Sequence, residues 1–323
     1  MAQLIIYPLE VFYMQSAVIV GGQVMIMGLL TLVGIYSCKM GYLNESSARG
    51  LSAFLLNVSL PCVMVSSLYR VKEQALLFGF GLSLALGIVI HILGIITAKL
   101  LIKNREGYNP HAERFAIVFA NAAYMAIPLI RAALGEEATF YAAAIIAVFL
   151  AFHWTYGIIE LGGGFNIAKL TKNPCIISIV LGLLIFWFQI PLPAPVLDTV
   201  KLIGGLTTPL SMIIAGIFLS DLKLSDLRGA TIYLASVIRN LVVPVIFIGL
   251  VLLLGCANWF EGARTATIAA IYSCSCPTAV SVILMSAALG KEADHAAKLV
   301  AVSTIMSLAT LPLMAAVADM LIK

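Results

Sequence analysis

Long runs of apolar residues, separated by short polar connections, extend along almost the whole chain. A helix needs roughly 20 mostly apolar residues to cross a bilayer, and ten segments reach or approach that length. The pattern therefore predicts an all-α membrane protein with ten transmembrane helices. The ten segments lie near residues 16–38, 46–68, 75–102, 113–134, 137–160, 174–190, 198–220, 229–254, 263–289 and 293–321.

The composition agrees with a membrane environment. Of the 323 residues, 62% are hydrophobic and only 11% are charged, and the mean hydropathy is +1.08. A soluble domain is about 45–50% apolar and about 25% charged, so this chain has too few charged residues to cover a water-exposed surface. The lipid bilayer is its expected surroundings. No basic run is longer than a loop, so we expect no nucleic acid as a partner.

The basic residues of the connections are distributed unevenly between the two sides of the predicted bundle. Connections after the odd-numbered segments hold twelve lysines and arginines, against six on the other side. Because loops rich in Lys and Arg stay in the cytoplasm, we expect both termini to lie outside the cytoplasm, with the protein in the cell (inner) membrane. The twelve are Lys39, Arg49, Lys99, Lys103, Arg105, Arg114, Lys169, Lys172, Lys223, Arg228, Lys291 and Lys298; the six are Arg70, Lys72, Arg131, Lys201, Arg264 and Lys323.

Two stretches about half the chain apart resemble each other. "AALGEEATFYAAAIIAV" at 132–148 and "AALGKEADHAAKLVAV" at 287–302 each close one predicted helix and open the next, at an offset of 155 residues. A weaker echo relates "LLNVSLP", which ends at Pro61, to "IGGLTTP", which ends at Pro209. The chain therefore has the pattern of an internal duplication.

These echoes divide the chain into two five-helix repeats. The expected domains are a first repeat at 1–160, a cytoplasmic linker at 161–173 and a second repeat at 174–323. Because five is odd, the second repeat must enter the membrane inverted. Inverted repeats with interrupted helices are typical of secondary transporters.

The predicted fourth and ninth helices each contain residues that interrupt helical hydrogen bonding. In "FANAAYMAIPLIRAALG", residues 119–135, Asn121 precedes Pro128, which lacks an N–H and crowds the carbonyl four residues before it. The 155-residue offset lays Asn121 over Cys276, beside Pro277. If the broken helices cross near the midplane, their half-helix ends face one cavity, and the positive N-termini favour an anion there. The alternative is that the prolines only kink the helices and the asparagine bonds a neighbouring helix.

These residues resemble the auxin efflux carrier family, which includes the plant PIN-type carriers and bacterial organic-anion carriers. The fourth helix of the family resembles Asn-x-x-x-x-Gly-x-Pro, and "NAAYMAIP" has Asn121 and Pro128 in place, with Ala126 where Gly is usual. The resemblance covers essentially the whole chain. It extends through "GYLNESSARGLSAFLLNVSLP" at 41–61, "NPCIISIVLGLL" at 173–184, "LIGGLTTPLSMIIAGIFLS" at 202–220 and "CPTAVSVILMSAALG" at 276–290.

The resemblance implies ten helices in two inverted repeats, with broken helices 4 and 9 crossing at their prolines and both termini outside. It also implies that the helix 4 asparagine binds a substrate carboxylate beside the crossover. That role falls on Asn121, with Pro128 and Pro277 shaping the site and Cys276 next to them. The departure at Ala126 is expected to narrow or shift the cavity.

Three ionisable residues within the predicted spans are further candidates. Arg239 lies near the middle of the eighth span, where a charge is costly. It is expected either to attract the anion or to pair with backbone carbonyls. His91 and His153 could relay protons, since imidazole titrates near neutral pH, or they could be hydrogen-bonded packing residues.

Four polar residues precede the repeat-related prolines. Asn57 and Ser59 lie just before Pro61, and Thr207 and Thr208 lie just before Pro209. They could line the floor of the cavity, or they could form hydrogen bonds between helices.

The sequence therefore predicts a secondary transporter that moves a small organic anion, a carboxylate, by alternating access. One alternative is a sodium-coupled organic-anion symporter of the bile-acid carrier type, so both proton and sodium stay open as coupling ions. Another is a non-transporting membrane sensor. We expect no enzyme activity, because no nucleophile is paired with a base, and no cofactor; a homodimer is compatible with this prediction.

The six cysteines have neither the spacing of a disulfide framework nor that of a zinc site. Cys274 and Cys276 could bind a soft metal as a pair, but no His or further Cys lies near them in sequence. We interpret both as small residues packed within a helix and expect no metal site.

Overall fold

The computed structural model describes residues 6–104, 110–164, 171–220, 229–291 and 293–322. Part of the expected linker, residues 165–170, lies outside the described residues. The same is true of five basic residues from the charge comparison, Arg105, Lys169, Lys223, Arg228 and Lys323.

Within these ranges all regular secondary structure is helical, apart from one isolated β-bridge. In chain order the helices are α1 (Ile6–Lys39), α2 (Glu45–Leu68), α3 (Gln74–Leu101), α4a (His111–Val118), α4b (Ala122–Leu134), α5 (Thr139–Glu160), α6 (Pro174–Phe188), α7 (Ala194–Leu219), α8 (Ala230–Leu254), α9a (Ala263–Ser275), α9b (Ser281–Ala288) and α10 (Ala293–Leu321). Seven of these helices, α1, α2, α3, α5, α7, α8 and α10, are long and apolar enough to cross a membrane. The prediction of an all-helical membrane protein is confirmed.

Three predicted spans differ from these seven helices in length. The 15 residues of α6 reach only about 22 Å, less than the roughly 30 Å of a hydrocarbon core. Its start is fixed by Asn173, whose Oδ1 accepts a hydrogen bond from the Cys175 N–H at 2.9 Å, and its end by Gln189 in the left-handed region. The fourth and ninth predicted spans are each divided into two short helices. The count of ten spans therefore stays a prediction.

Wide turns of the π type occur just before three prolines. They are Leu55–Ser59 before Pro61, Ala122–Ala126 before Pro128 and Ile238–Val242 before Pro244. Proline lacks an N–H and crowds the carbonyl four residues earlier, and a wider turn accommodates both effects. A fourth such turn, His153–Gly157, begins at one of the candidate histidines.

The bundle encloses the two broken helices. α1 packs against α7 and α10, α3 packs against α5 and α9a, and the second half of α2 packs against α6 and α7. Glycine permits the closest of these approaches, because a Cβ on Gly34 would strike the backbone of Ile213 on α7. Every residue of α9a except Arg264 and Thr265 is buried. The functional geometry therefore centres on α4 and α9.

Candidate functional site

Backbone hydrogen bonds join α4 and α9 at their breaks. The Asn121 N–H donates to the Pro277 carbonyl at 2.7 Å, and the Ala279 N–H donates to the Phe119 carbonyl at 2.9 Å. Together the two bonds form a short antiparallel bridge. Each break thus satisfies backbone groups that the other leaves free, as the interior of a membrane protein requires.

The two breaks have different origins. In α9 the chain leaves the helix at Cys276, whose extended backbone is typical of a residue before proline, and Pro277 cannot donate a hydrogen bond. In α4 the break falls at 119–121, whereas Pro128 lies inside α4b beyond its wide turn. The expectation that the helices cross at both prolines is therefore corrected. Asn121 meets Pro277, because Pro128 widens the helix instead of ending it.

The bridge pairs Ala120 with Thr278, which are 158 positions apart (278 minus 120), whereas the AALG stretches are 155 apart. The correspondence of Asn121 with Cys276 in the two repeats stays a prediction. α4b holds three more residues between bridge and AALG than α9b, and it contains the wide turn.

Arg239 is fully buried and binds the C-terminal ends of both first half-helices. Its Nη1 donates to the Ile117 carbonyl of α4a at 2.8 Å, and its Nη2 donates to the Cys274 carbonyl of α9a. The last carbonyls of a helix have no partner within it and carry partial negative charge. A guanidinium group therefore satisfies and neutralises both ends at once. Arg239 was expected either to attract the anion or to pair with backbone carbonyls, and in the structure it pairs with carbonyls.

Thr278, which the sequence reasoning did not single out, joins the bridge to α4a and α10. Its Oγ1 donates to the Ala116 carbonyl of α4a at 3.1 Å, and its N–H donates to Ser303 Oγ of α10 at 3.1 Å. The only sequence signal is a hydroxyl residue directly after Pro277.

A cavity of about 290 Å³ lies against the bridge, and we call it the crossover cavity. Its polar wall consists of Asn121, Tyr124, His153 and Ser281. The rest is apolar and comes from α2, α5 and both second half-helices. α4b and α9b both begin at this wall, so two helix N-termini adjoin one cavity.

The polar groups of the crossover cavity are unequally satisfied. His153 Nε2 lies 2.8 Å from Ser281 Oγ, and aromatic rings of Phe115, Phe119 and Phe149 surround its imidazole. Asn121 is 3% exposed and lines the cavity, and among the described residues its amide has no hydrogen-bond partner. The fully buried atom of this wall without a partner is His153 Nδ1. The donors of the Asn121 amide are therefore open to a ligand or water in the cavity.

A second cavity, of about 380 Å³, lies at the opposite end of α5, and we call it the basic cavity. Arg70, Arg131, Lys201 and Glu136 supply its charges. Burial lowers the pKa of the Arg70 guanidinium from its ordinary value, and the Glu136 carboxylate opposes that shift. Ala123 lines both this cavity and the crossover cavity, so the two cavities approach each other at this residue.

Three of the residues before the repeat-related prolines meet beside the basic cavity. Ser59 Oγ donates to the Ile203 carbonyl at 2.8 Å and lies 2.6 Å from Thr207 Oγ1, so the threonine hydroxyl donates to the serine. Thr208 Oγ1 donates to the Tyr124 carbonyl at 3.3 Å. Pro128, four residues further along, has no N–H to donate to that carbonyl. Thr207, Thr208 and Pro128 line the basic cavity.

The remaining candidates lie elsewhere. The Asn57 side chain is exposed and donates to the Ala53 carbonyl of its own helix at 2.7 Å. His91 is buried, with Nδ1 2.7 Å from the Gly87 carbonyl, and its ring stacks on Phe152. Cys276 is fully buried and lines neither cavity. Over the described ranges no group of three or more His, Cys, Asp or Glu residues could hold a metal ion.

Comparison with known proteins identifies relatives along nearly the whole chain. A family model described as membrane transport protein matches residues 19–165 and 159–315. A protein of Methanothermobacter thermautotrophicus, named an uncharacterized transporter, is 25% identical over 297 residues. This similarity covers 88% of the present chain and 93% of the archaeal protein.

Proposed function

Because the chain belongs to the membrane transport protein family, the auxin efflux carriers, we propose that it is a secondary transporter of a small organic anion, a carboxylate, that works by alternating access. The crossover cavity is the proposed substrate site. One observation carries this proposal: two half-helix N-termini adjoin the same small cavity as the Asn121 amide, which has no hydrogen-bond partner among the described residues.

The charge distribution around the bridge favours an anion. Arg239 binds carbonyls at the negative C-terminal ends of α4a and α9a and neutralises them. The positive N-terminal ends of α4b and α9b therefore keep their effect on a nearby anion. A helix N-terminus carries about half a positive charge, and the Asn121 amide adds up to two donors. A carboxylate held there would satisfy the amide and both helix ends.

The positions of the two cavities support alternating access. The crossover cavity extends toward the end of α5, the basic cavity lies at its start, and they approach each other at Ala123. The hydrogen bonds from Thr207 to Ser59 and from Thr208 to Tyr124 hold α2, α7 and α4b together between them. We infer that rearrangement of these contacts exposes the substrate to one side at a time.

The proposal includes the inverted-repeat architecture. The proposed repeats are 1–160 and 174–323, joined by the cytoplasmic linker 161–173. The protein lies in the cell (inner) membrane, and both termini lie outside the cytoplasm. The supporting observations are the AALG echo and the excess of basic residues in the odd-numbered connections.

Uptake into proteoliposomes tests the proposed function. A panel of labelled mono- and dicarboxylates is compared with the matched neutral amides, such as benzoate with benzamide and succinate with succinamide, each with and without sodium. We expect at least one carboxylate to accumulate and its amide not to do so. Equal uptake of the amide would contradict anion selectivity, and dependence on sodium would select the symporter alternative.

A further inference from the structure

Two arginines hold one glutamate carboxylate at the wall of the basic cavity. Glu136 Oε2 lies 2.5 Å from Arg131 Nε, and its Oε1 lies 3.4 Å from Arg70 Nη2. The arginines come from α4b and from the segment after α2. The glutamate therefore occupies the position that a bound carboxylate would take between two guanidinium groups.

Arg70 does not depend on this carboxylate for its orientation. Its side chain is 15% exposed, and it donates to the Tyr69 and Glu136 carbonyls at 2.9 Å each and to Thr139 Oγ1 at 3.1 Å. Its Nε is buried without a partner among the described residues. The carboxylate contact at 3.4 Å is the longest of these contacts. Arg70 lines the cavity, so its fixed guanidinium keeps a positive charge there when the Glu136 carboxylate leaves Nη2.

Glu136, in contrast, is free to leave. Its side chain is 57% exposed, and Arg131, its closest partner, is 45% exposed. An exposed ion pair contributes little to stability, so a competing anion can replace it at little cost.

The charges lining the basic cavity favour such an anion. Arg70, Arg131 and Lys201 face one carboxylate, Glu136, which leaves a net charge of +2 (three minus one). Within the described part of the chain Lys201 forms no ion pair. Glu73 and Glu137 line a neighbouring cavity on another side of Arg70.

We propose that the basic cavity is a second carboxylate-binding site on the route to the crossover cavity, and that Glu136 is an internal competitor that occupies its arginine pair when no anion is bound. This inference rests on the proposed function. An arriving carboxylate displaces Glu136 from Arg131, is held by both guanidinium groups, and lies on the side of Ala123 opposite the crossover cavity.

Calorimetric titration of the full-length protein in phosphatidylcholine nanodiscs tests the inference, with succinate and benzoate as probes. The Asn121→Ala background weakens the crossover cavity, so the remaining binding reports the basic cavity. In that background we expect Glu136→Gln to bind about 2- to 5-fold more tightly and Arg131→Gln about 2- to 5-fold more weakly. Asp198→Asn is the matched control, because it removes an exposed carboxylate that pairs with no basic side chain among the described residues; its affinity should not change.

The outcomes separate this inference from the proposed function. Binding that depends on Asn121 but responds to neither Glu136→Gln nor Arg131→Gln overturns the second site and leaves the first. Binding that follows the Glu136 and Arg131 variants but not Asn121 supports the second site and contradicts the first. Nanodiscs containing phosphatidylglycerol test a lipid headgroup as the source of the anion. Unchanged succinate affinity there supports the inference, whereas loss of binding assigns the arginines to lipid and overturns it.

Discussion

Arg239→Met tests the idea that one buried cation holds the two broken helices together. Methionine fills much of the volume of the arginine stem and has no donor. The substitution leaves the Ile117 and Cys274 carbonyls without the guanidinium group. It also leaves the negative ends of α4a and α9a without a neighbouring positive charge.

The expected loss follows from these contacts. A buried carbonyl that loses its partner costs about 1–3 kcal/mol, so the two carbonyls together cost about 2–6 kcal/mol. In chains of 150–250 residues, 1 kcal/mol lowers the melting temperature by roughly 2–4 °C. We therefore expect Arg239→Met to melt at least about 4 °C below the wild type. Arg239→Lys should lie between them, because an ammonium group keeps the charge but loses the planar fork.

The assay is thermal unfolding of the purified protein in one detergent. A separate titration then measures the affinity of each variant for a carboxylate that the wild type transports. Arg264→Met is the matched control, since the Arg264 Nε also donates to a carbonyl, that of Ile322, at 3.0 Å but near the end of the chain. The control should lose less stability than Arg239→Met. If Arg239→Met melts like the wild type and binds carboxylate more weakly, the arginine acts on the ligand and the clamp between half-helices is refuted.

Two further predictions concern α7 and the linker. Thr208→Val removes the donor to the Tyr124 carbonyl and should lower the free energy of unfolding by about 1 kcal/mol. Thr199→Val, at an exposed threonine bonded within its own helix, should have little effect. Equal melting temperatures of the two variants would contradict the role of Thr208. A cysteine placed at Gly164, in the proposed cytoplasmic linker, should not react with a membrane-impermeant thiol reagent added to intact cells; labelling from outside would reverse the topology.

The sequence predicted which two helices are broken, but it placed only one of the two breaks at the right residue. Pro277 marks its own break because proline cannot donate, and the apolar run shows that the break lies within a membrane segment. The break before Asn121 has no proline at the same place. This break is stabilised by the hydrogen bond from the Asn121 N–H to the Pro277 carbonyl. Because that bond is a tertiary contact, the sequence alone predicted the break at Pro128.

The candidate side chains show the same limit. His91 and His153 are alike in sequence context, yet only His153 lines the crossover cavity, because which face of a helix meets a cavity depends on packing. The carbonyls that Arg239 binds could not be predicted from the sequence, because they depend on where α4a and α9a end and how these helices pack. Arg131 lies in α4b and Glu136 just after it, whereas Arg70 follows α2, and the sequence gives no sign that the three share one cavity.

The affinity of purified Asn121→Ala for a transported carboxylate tests the central claim most directly. A donor to a charged acceptor contributes about 1.5–3 kcal/mol, so we expect binding to weaken by about 10- to 150-fold, and Asn121→Asp to bind still more weakly because it opposes two carboxylates. Asn57→Ala, which removes an exposed amide bonded within its own helix, should keep wild-type affinity. If Asn121→Ala also keeps wild-type affinity while its melting temperature falls, the amide holds helices together and the substrate binds elsewhere.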